Sequence, residues 1–239
     1  MRKSPGQFAF RCAAAMALVV VACALAPASQ RRKGETLDLK QILEHMNENG
    51  KRLKTVSGNF EYTKVTVLVD DRSTENGQIF LRKSKPPDLL LKFEKPDQKV
   101  ILLRKNKAEM FNPKINQIQE YDLSKHAGLV DQFLLLGFGT DSNELKKAYR
   151  INYLKEENLS GDLTVQLDLT PRDPKVANQI SKIQLWISEE SWLPVQQKFF
   201  EPSGDYLLTR FSSVRFNPFI RSSTFRIDAP KDVKRVKME

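Results

Sequence analysis

The chain has 239 residues, with 39 Lys and Arg against 29 Asp and Glu, a formal charge of +10 at pH 7, and only two cysteines and two histidines. Both cysteines, Cys12 and Cys23, fall near the N-terminus, so a chain trimmed of its leader has no disulfide, no cysteine metal site and no thiol nucleophile. The length suits one domain with a real core, and for an exported chain the basic balance points to anionic lipid headgroups or acidic partners more than to nucleic acid.

Export is the first reading in chain order. Met1 to Arg11 carries Arg2, Lys3 and Arg11 and no acid, "CAAAMALVVVACALA" follows, and Ala26-Pro27-Ala28 matches a small-x-small cleavage site. This predicts a signal peptide over residues 1–28, too short and wrongly flanked for a stable membrane span. The same stretch holds a rival: Val20-Val21-Ala22-Cys23 resembles a lipobox, in which Cys23 would be lipidated and become the mature N-terminus. Residues 29–239 are expected to form a single domain.

From Thr36 the sequence places Leu39, Ile42, Leu43, Met46 and Leu53 at helical spacing, with Thr36 as the N-cap. Its narrow apolar stripe must lie on something larger. Strand signals follow at 58–69, 76–83, 88–95, 98–104, 107–111 and 116–122. Turn chemistry joins them at Asp70-Asp71, Pro86-Pro87, Pro96-Asp97, Lys105-Asn106 and Asn112-Pro113. Links this short force antiparallel neighbours. A second series is predicted at 149–156, 162–170, 181–188, 194–201 and 205–217, with hairpins on Ser160-Gly161-Asp162 and Ser203-Gly204-Asp205. About eleven strands in meander order imply an α+β, mainly β, chain with a large curved sheet or open barrel.

Between the two series, "GLVDQFLLLGFG" (128–139) is apolar almost all round, which predicts a buried helix stopped by Gly137 and Gly139 and lying over the sheet. "DSNELKKAY" (141–149) adds a polar helical turn.

Catalytic chemistry finds no candidates. His45 and His126 have no ligand-like neighbours at metal spacing, there is no His-Glu-x-x-His or Gly-x-Ser-x-Gly, and "GFGTDS" has Ser142 where a dinucleotide fingerprint needs its third glycine. The carboxylate pairs Asp70/Asp71, Glu156/Glu157 and Glu189/Glu190 read as solvated turn or loop residues. No enzyme, cofactor or metal is expected. Apolar strand surface remains. In "DLLLKFE", Leu89, Leu91 and Phe93 alternate onto one face and Leu90, Lys92 and Glu94 onto the other. Phe60 and Tyr62, Val100 and Leu102, and Met110 are read onto the same apolar face, which is either a plain core or partly a pocket for alkyl chains.

Taken in order, "LKTVSGNFEYTK", "KPPDLLLKFEKPDQKVILLRKNKAEMFNP", "LDLTPR" (167–172), "ISEESWLPVQQKFFEPSGDYLLTRFSSVRFN" (187–217) and "FRIDAPKDVKRV" (225–236) resemble the bacterial outer-membrane lipoprotein carrier, the LolA type. The resemblance implies an antiparallel eleven-stranded open half-barrel with helices covering the concave face. It implies a monomeric periplasmic carrier that takes acylated lipoproteins from an inner-membrane ABC transporter and passes them to an outer-membrane receptor. An envelope sensor or adaptor, or a membrane-tethered lipid binder, is the alternative on the same fold. The family's aromatic in the "DLLLKFE" strand matches Phe93. Its arginine lid latch falls at Lys85, with Arg82 as the other candidate, and its lid positions fall by context at Leu129, Phe133, Leu134 and Leu136. The basic clusters Arg31-Arg32-Lys33, Arg82-Lys83-Lys85 and Arg104-Lys105-Lys107 are solvated or face anionic partners.

Overall fold

The computed structural model describes residues 37–124 and 136–238. Cys23, Thr36, His126, Leu129, Phe133, Leu134 and the body of the helix expected at 128–139 lie outside them.

Helix α1 (Leu39–Arg52) starts at Asp38, not Thr36. The Asp38 carboxylate accepts the Gln41 backbone N–H (2.7 Å), and the Gln41 side chain accepts the Asp38 N–H (2.9 Å), closing a reciprocal capping box. The helix buries Ile42, Leu43 and Met46 on one side, and Gly50 near its end.

Strands β1 (Thr55–Thr66), β2 (Asp71–Arg82), β3 (Asp88–Lys95), β4 (Lys99–Arg104), β5 (Lys107–Asn112) and β6 (Gln117–Asp122) form the first series. After α2 (Ser142–Ala148) come β7 (Tyr149–Leu159), β8 (Asp162–Pro171), a one-turn α3 (Pro174–Ala177), β9 (Lys182–Ser188), β10 (Pro194–Phe200) and β11 (Tyr206–Phe216). Every strand read from the sequence is present. The sheet has twelve strands, not eleven, because β12 (Lys234–Met238) adds at the edge.

The strand order is β12-β6-β5-β4-β3-β2-β1-β11-β10-β9-β8-β7. All pairings are antiparallel except β12 with β6, which is parallel. This is a mainly β, open and curved half-barrel sheet. Its two sequence series meet at β1, which pairs with β2 on one side and β11 on the other. The turns follow their chemistry: Lys105 and Asn106 both take positive φ (52° and 58°) between β4 and β5, as a two-residue hairpin of type I′ requires.

Two cores sit on the concave face. In one, α1 (Ile42, Leu43, Met46) packs with Leu145 and Tyr149 onto Val165, Leu167, Leu169, Ile183, Leu185 and Ile187 of β8 and β9. In the other, Leu53 and Phe138 pack onto Val56, Phe60, Ile79, Leu81, Leu89 and Leu103 of β1 to β4. The convex face of β3 and β4 is closed separately. Phe225, 1% exposed, packs with Leu90 and Leu102, backed by Ile220 and Ile227 of the segment after β11. The second face of that apolar strand pair is thus covered by the C-terminal segment.

Arg82 and Arg104 fix this cover. Arg82 donates to the Ile220 carbonyl (3.2 Å) and lies 4.6 Å over the Phe225 ring, Arg104 donates to the Phe225 carbonyl (3.3 Å), and both approach the buried Asp88 carboxylate (3.6 and 3.4 Å). Arg82 and Arg104, from clusters expected to be solvated or to face anionic partners, are structural cations here.

Candidate functional site

Among the described residues, the concave face is hollow where α1 does not reach. Beside the second core lies a cavity of about 1250 Å³, above the roughly 300–1,000 Å³ usual for small-ligand pockets. Phe60 and Tyr62 of β1, Ile79 of β2, Leu89, Leu91 and Phe93 of β3 and Ile101 of β4 form one wall. Phe199 of β10, Leu207 and Phe211 of β11, Val176 of α3 and Ile180 just after it form the other.

Strand alternation builds the first wall. Leu91 lies opposite both Ile79 and Ile101 across the ladders, so three neighbouring strands present aliphatic side chains to one hollow. Phe60 and Phe93 meet edge to face at 4.9 Å (77°), the stable arrangement of two ring quadrupoles. Gly77 makes that contact possible. A β-carbon there would lie 2.1 Å from the Lys92 carbonyl oxygen and 2.8 Å from the Phe60 ring, at a register shift between β2 and β3.

Polar groups ring one end. Lys99 donates to both carboxylate oxygens of Glu75 (2.7 and 2.8 Å), and its ammonium stands 4.2 Å over the Phe93 ring. Burial, and then the carboxylates of Glu75 and Glu201, push the Tyr62 hydroxyl above its ordinary pKa, so it stays a neutral hydrogen-bonding group at physiological pH. The lining is mostly apolar, with Glu75 and Lys99 paired at its edge and Asp173, Lys175, Gln179 and Glu201 also bordering it. Among the described residues, no group of His, Cys, Asp and Glu could hold a metal ion. His45 stacks on Trp192 (4.4 Å).

Phe60, Tyr62, Leu89, Leu91 and Phe93 line the cavity as read from the sequence. Met110 lies opposite Ile101 and so shares its face, but it is not among the cavity's described lining. Leu102 is a correction. It lies opposite Leu90 and packs against Phe225 on the convex side, while its neighbours Ile101 and Leu103 face the concave side. Leu136 is a second correction. It is fully buried in the core beneath α1, where its carbonyl accepts the Gln197 amide N–H at 2.6 Å, rather than lining the hollow. Glu156 and Glu157 lie on β7 rather than in a loop, and Glu157 accepts a bond from Lys155 (2.8 Å) and then the Trp186 indole N–H (2.5 Å), which hold its carboxyl below the usual range.

The latch position is also corrected. Lys85 is exposed, and its side chain makes no hydrogen bond among the described residues; Arg82 serves the convex face. Lys83 stands between them. Its ammonium donates to the carbonyls of Gly50 at the end of α1 (2.8 Å) and of Gly139 (2.7 Å). Ile79 and Leu81 face the concave side, so continuing the alternation by two residues brings Lys83 inward and leaves Arg82 outward. Counting that parity would have found it. Desolvation lowers the Lys83 pKa, opposed by Asp141. The backbones meet here as well, since a β-carbon on Gly50 would lie 3.0 Å from the Gly139 α-carbon. One cation therefore ties α1, β2 and the 136–139 turn beside a second hollow of about 780 Å³.

A family model described as an uncharacterized-protein-like family matches residues 94–218, just over half of the chain. The chain belongs to that family. The stretch that defines it carries the far wall of the cavity (Phe199, Leu207, Phe211), whereas Phe60, Tyr62, Leu89, Leu91 and Phe93 precede it. No curated protein matches the chain. Among solved structures, an uncharacterized conserved protein from Thermus thermophilus is similar with TM-score 0.55 at 10% identity, covering 83% of this chain and 98% of that one. MucB is similar with TM-score 0.52 at 15% identity over 80% of this chain, which spans only 62% of the MucB chain. In the complex of Pseudomonas aeruginosa MucA and MucB, the chain likewise spans 59% of its match. A LolA superfamily protein from Nitrosomonas europaea gives TM-score 0.39 at 15% identity, over 81% of this chain and 99% of that one. The likenesses to the Thermus thermophilus protein and to MucB are likenesses of fold.

Proposed function

We propose that this protein is an exported carrier of acylated lipoproteins that shelters their acyl chains in the concave cavity on the way between the inner and outer membranes. The observation behind this reading is the hollow itself, about 1250 Å³ walled by aliphatic and aromatic side chains. Buried apolar side chains normally fill such a space, because an empty apolar hollow forfeits dispersion contacts on every wall. Each methylene moved into water costs about 0.8 kcal/mol, so an anchor with several long chains faces a barrier of tens of kcal/mol without a carrier. Release requires that the cover open, and the Lys83 ties to Gly50 and Gly139 are polar bonds that can break and re-form.

The donor would be an inner-membrane ABC transporter and the acceptor an outer-membrane receptor. The test is transfer: membranes charged with a triacylated lipoprotein and a competent transporter are incubated with the protein, and lipoprotein is measured in the soluble fraction. The expected result is release by the wild type and none by Phe93→Glu, whose carboxylate would sit against the Phe60 ring. Lipoprotein that stays with the membrane overturns the reading. Mass spectrometry of the mature N-terminus separates a free carrier beginning at Ser29 from a tethered lipid binder beginning at a diacylated Cys23.

A further inference from the structure

At the end of the sheet where β1 begins, the cavity accounts for none of the surface chemistry. Phe219, in the loop after β11, is 90% exposed. Its loop is pinned on both sides. Asn217 accepts the backbone N–H groups of Lys54 (2.6 Å) and Thr55 (3.1 Å) and donates to the Arg52 carbonyl (2.9 Å). Thr55 donates to the Pro218 carbonyl (2.7 Å), and Arg82 holds the Ile220 carbonyl. The phenyl ring is held out in water by an ordered backbone.

The segments so tied together carry Arg52, Lys54, Arg215 and Arg221, all exposed and without an ion pair among the described residues. Neither residues 51–60 nor residues 213–227 contain an acid. Other cations of the chain are paired or packed, Arg82, Lys83, Lys99 and Arg104 among them.

We propose that Phe219 with Arg52, Lys54, Arg215 and Arg221 docks the protein on the surface of an anionic phospholipid bilayer. Unpaired cations around an acid-free patch gain from a negative surface potential, and each contributes within about a Debye length of it. A phenyl ring has no polar handle, so it gains only on leaving water, and amid cations it suits the boundary between headgroups and acyl chains. Protein hot spots sit in packed, desolvated pockets; a ring raised on a loop suits a compliant bilayer better. Another exposed apolar turn, Val67 to Val69, lies at the far end of β1 and runs directly into Asp70 and Asp71, which an anionic surface repels. The patch shares no residue with the cavity's lining, so the proposal stands whether or not that cavity takes acyl chains.

The experiment is co-sedimentation of the purified protein with vesicles of phosphatidylcholine alone or mixed with phosphatidylglycerol, across a salt series. The expected result is binding that needs phosphatidylglycerol and weakens with salt. Arg52→Gln and Arg221→Gln each lower it about fivefold, and Phe219→Ser lowers it without changing the salt dependence. These side chains are exposed, so an unchanged urea midpoint verifies each variant's fold. Binding that ignores phosphatidylglycerol, variants that bind like the wild type, or no vesicle binding at all (as expected of a patch made for an acidic protein) would overturn the proposal.

Discussion

The concave face of the sheet divides into a filled half and a hollow half built from the same kinds of residue. Under α1, Leu167, Leu169, Ile183 and Leu185 are fully buried. Under β1 to β4 and β10 to β11, Leu91, Ile101, Phe199 and Phe211 are as apolar, yet they border open space. The difference lies in what is laid over the strands. A helix whose apolar stripe matches the sheet completes a core; where no described helix lays such a stripe across the strands, the same alternation borders a cavity. Hydrophobic strand surface is therefore no measure of stability by itself, and the contrast can be tested residue by residue.

The largest effect is expected in the filled half. Leu185→Ala removes a fully buried side chain and should cost about 2–5 kcal/mol, read from urea denaturation. Next comes Gly77→Ala at the edge of the hollow. Its β-carbon would meet the Lys92 carbonyl at 2.1 Å, backbone that cannot swing away, so a loss of about 1–3 kcal/mol is expected together with displacement of the Phe60 ring. Lys83→Met removes the donor to the Gly50 and Gly139 carbonyls, which water can in part replace at this exposed position, and should cost about 0.5–1.5 kcal/mol. Hydrogen exchange should show it chiefly as lost protection around residues 136–139 and the end of α1.

A smaller, pH-dependent difference also belongs to the filled half. Burial pushes the Tyr149 hydroxyl from 10.0 up to about 12, with no hydrogen-bond partner for it. The folded state thus holds that proton more tightly than the unfolded state, and stability should fall as pH rises from about 10 to about 12. Tyr149→Phe should remove that part of the slope. The smallest effect is expected in the hollow: Leu91→Ala enlarges an existing space and should cost under about 1 kcal/mol. A cost matching that of Leu185→Ala would show the hollow to be filled in solution and end the contrast.

Much of this arrangement was legible in the sequence. Eleven strands were readable because turn residues such as Pro96-Asp97 and Ser203-Gly204-Asp205 punctuate them, and Leu89, Leu91 and Phe93 were placed correctly because Lys92 and Glu94 mark the opposite face. Leu102 was misplaced for the converse reason: in Val100-Ile101-Leu102-Leu103 every position is apolar, both faces are covered, and no polar residue fixes the parity. Strand β12, "KRVKM", carries almost no apolar signal, because an edge strand paired by its backbone to β6 needs little. Lys83 was hidden in the run Arg82-Lys83-Ser84-Lys85, where charge alone cannot say which side chain turns inward.

The sequence by itself determined the strands, their turns and most of the apolar faces, because alternation and turn propensity are local properties of the chain. Only the tertiary structure decided which faces are filled, which are hollow and which cations are absorbed. Those outcomes depend on what packs over a strand from far away in the chain, as Phe225 does over Leu90 and α1 over β8.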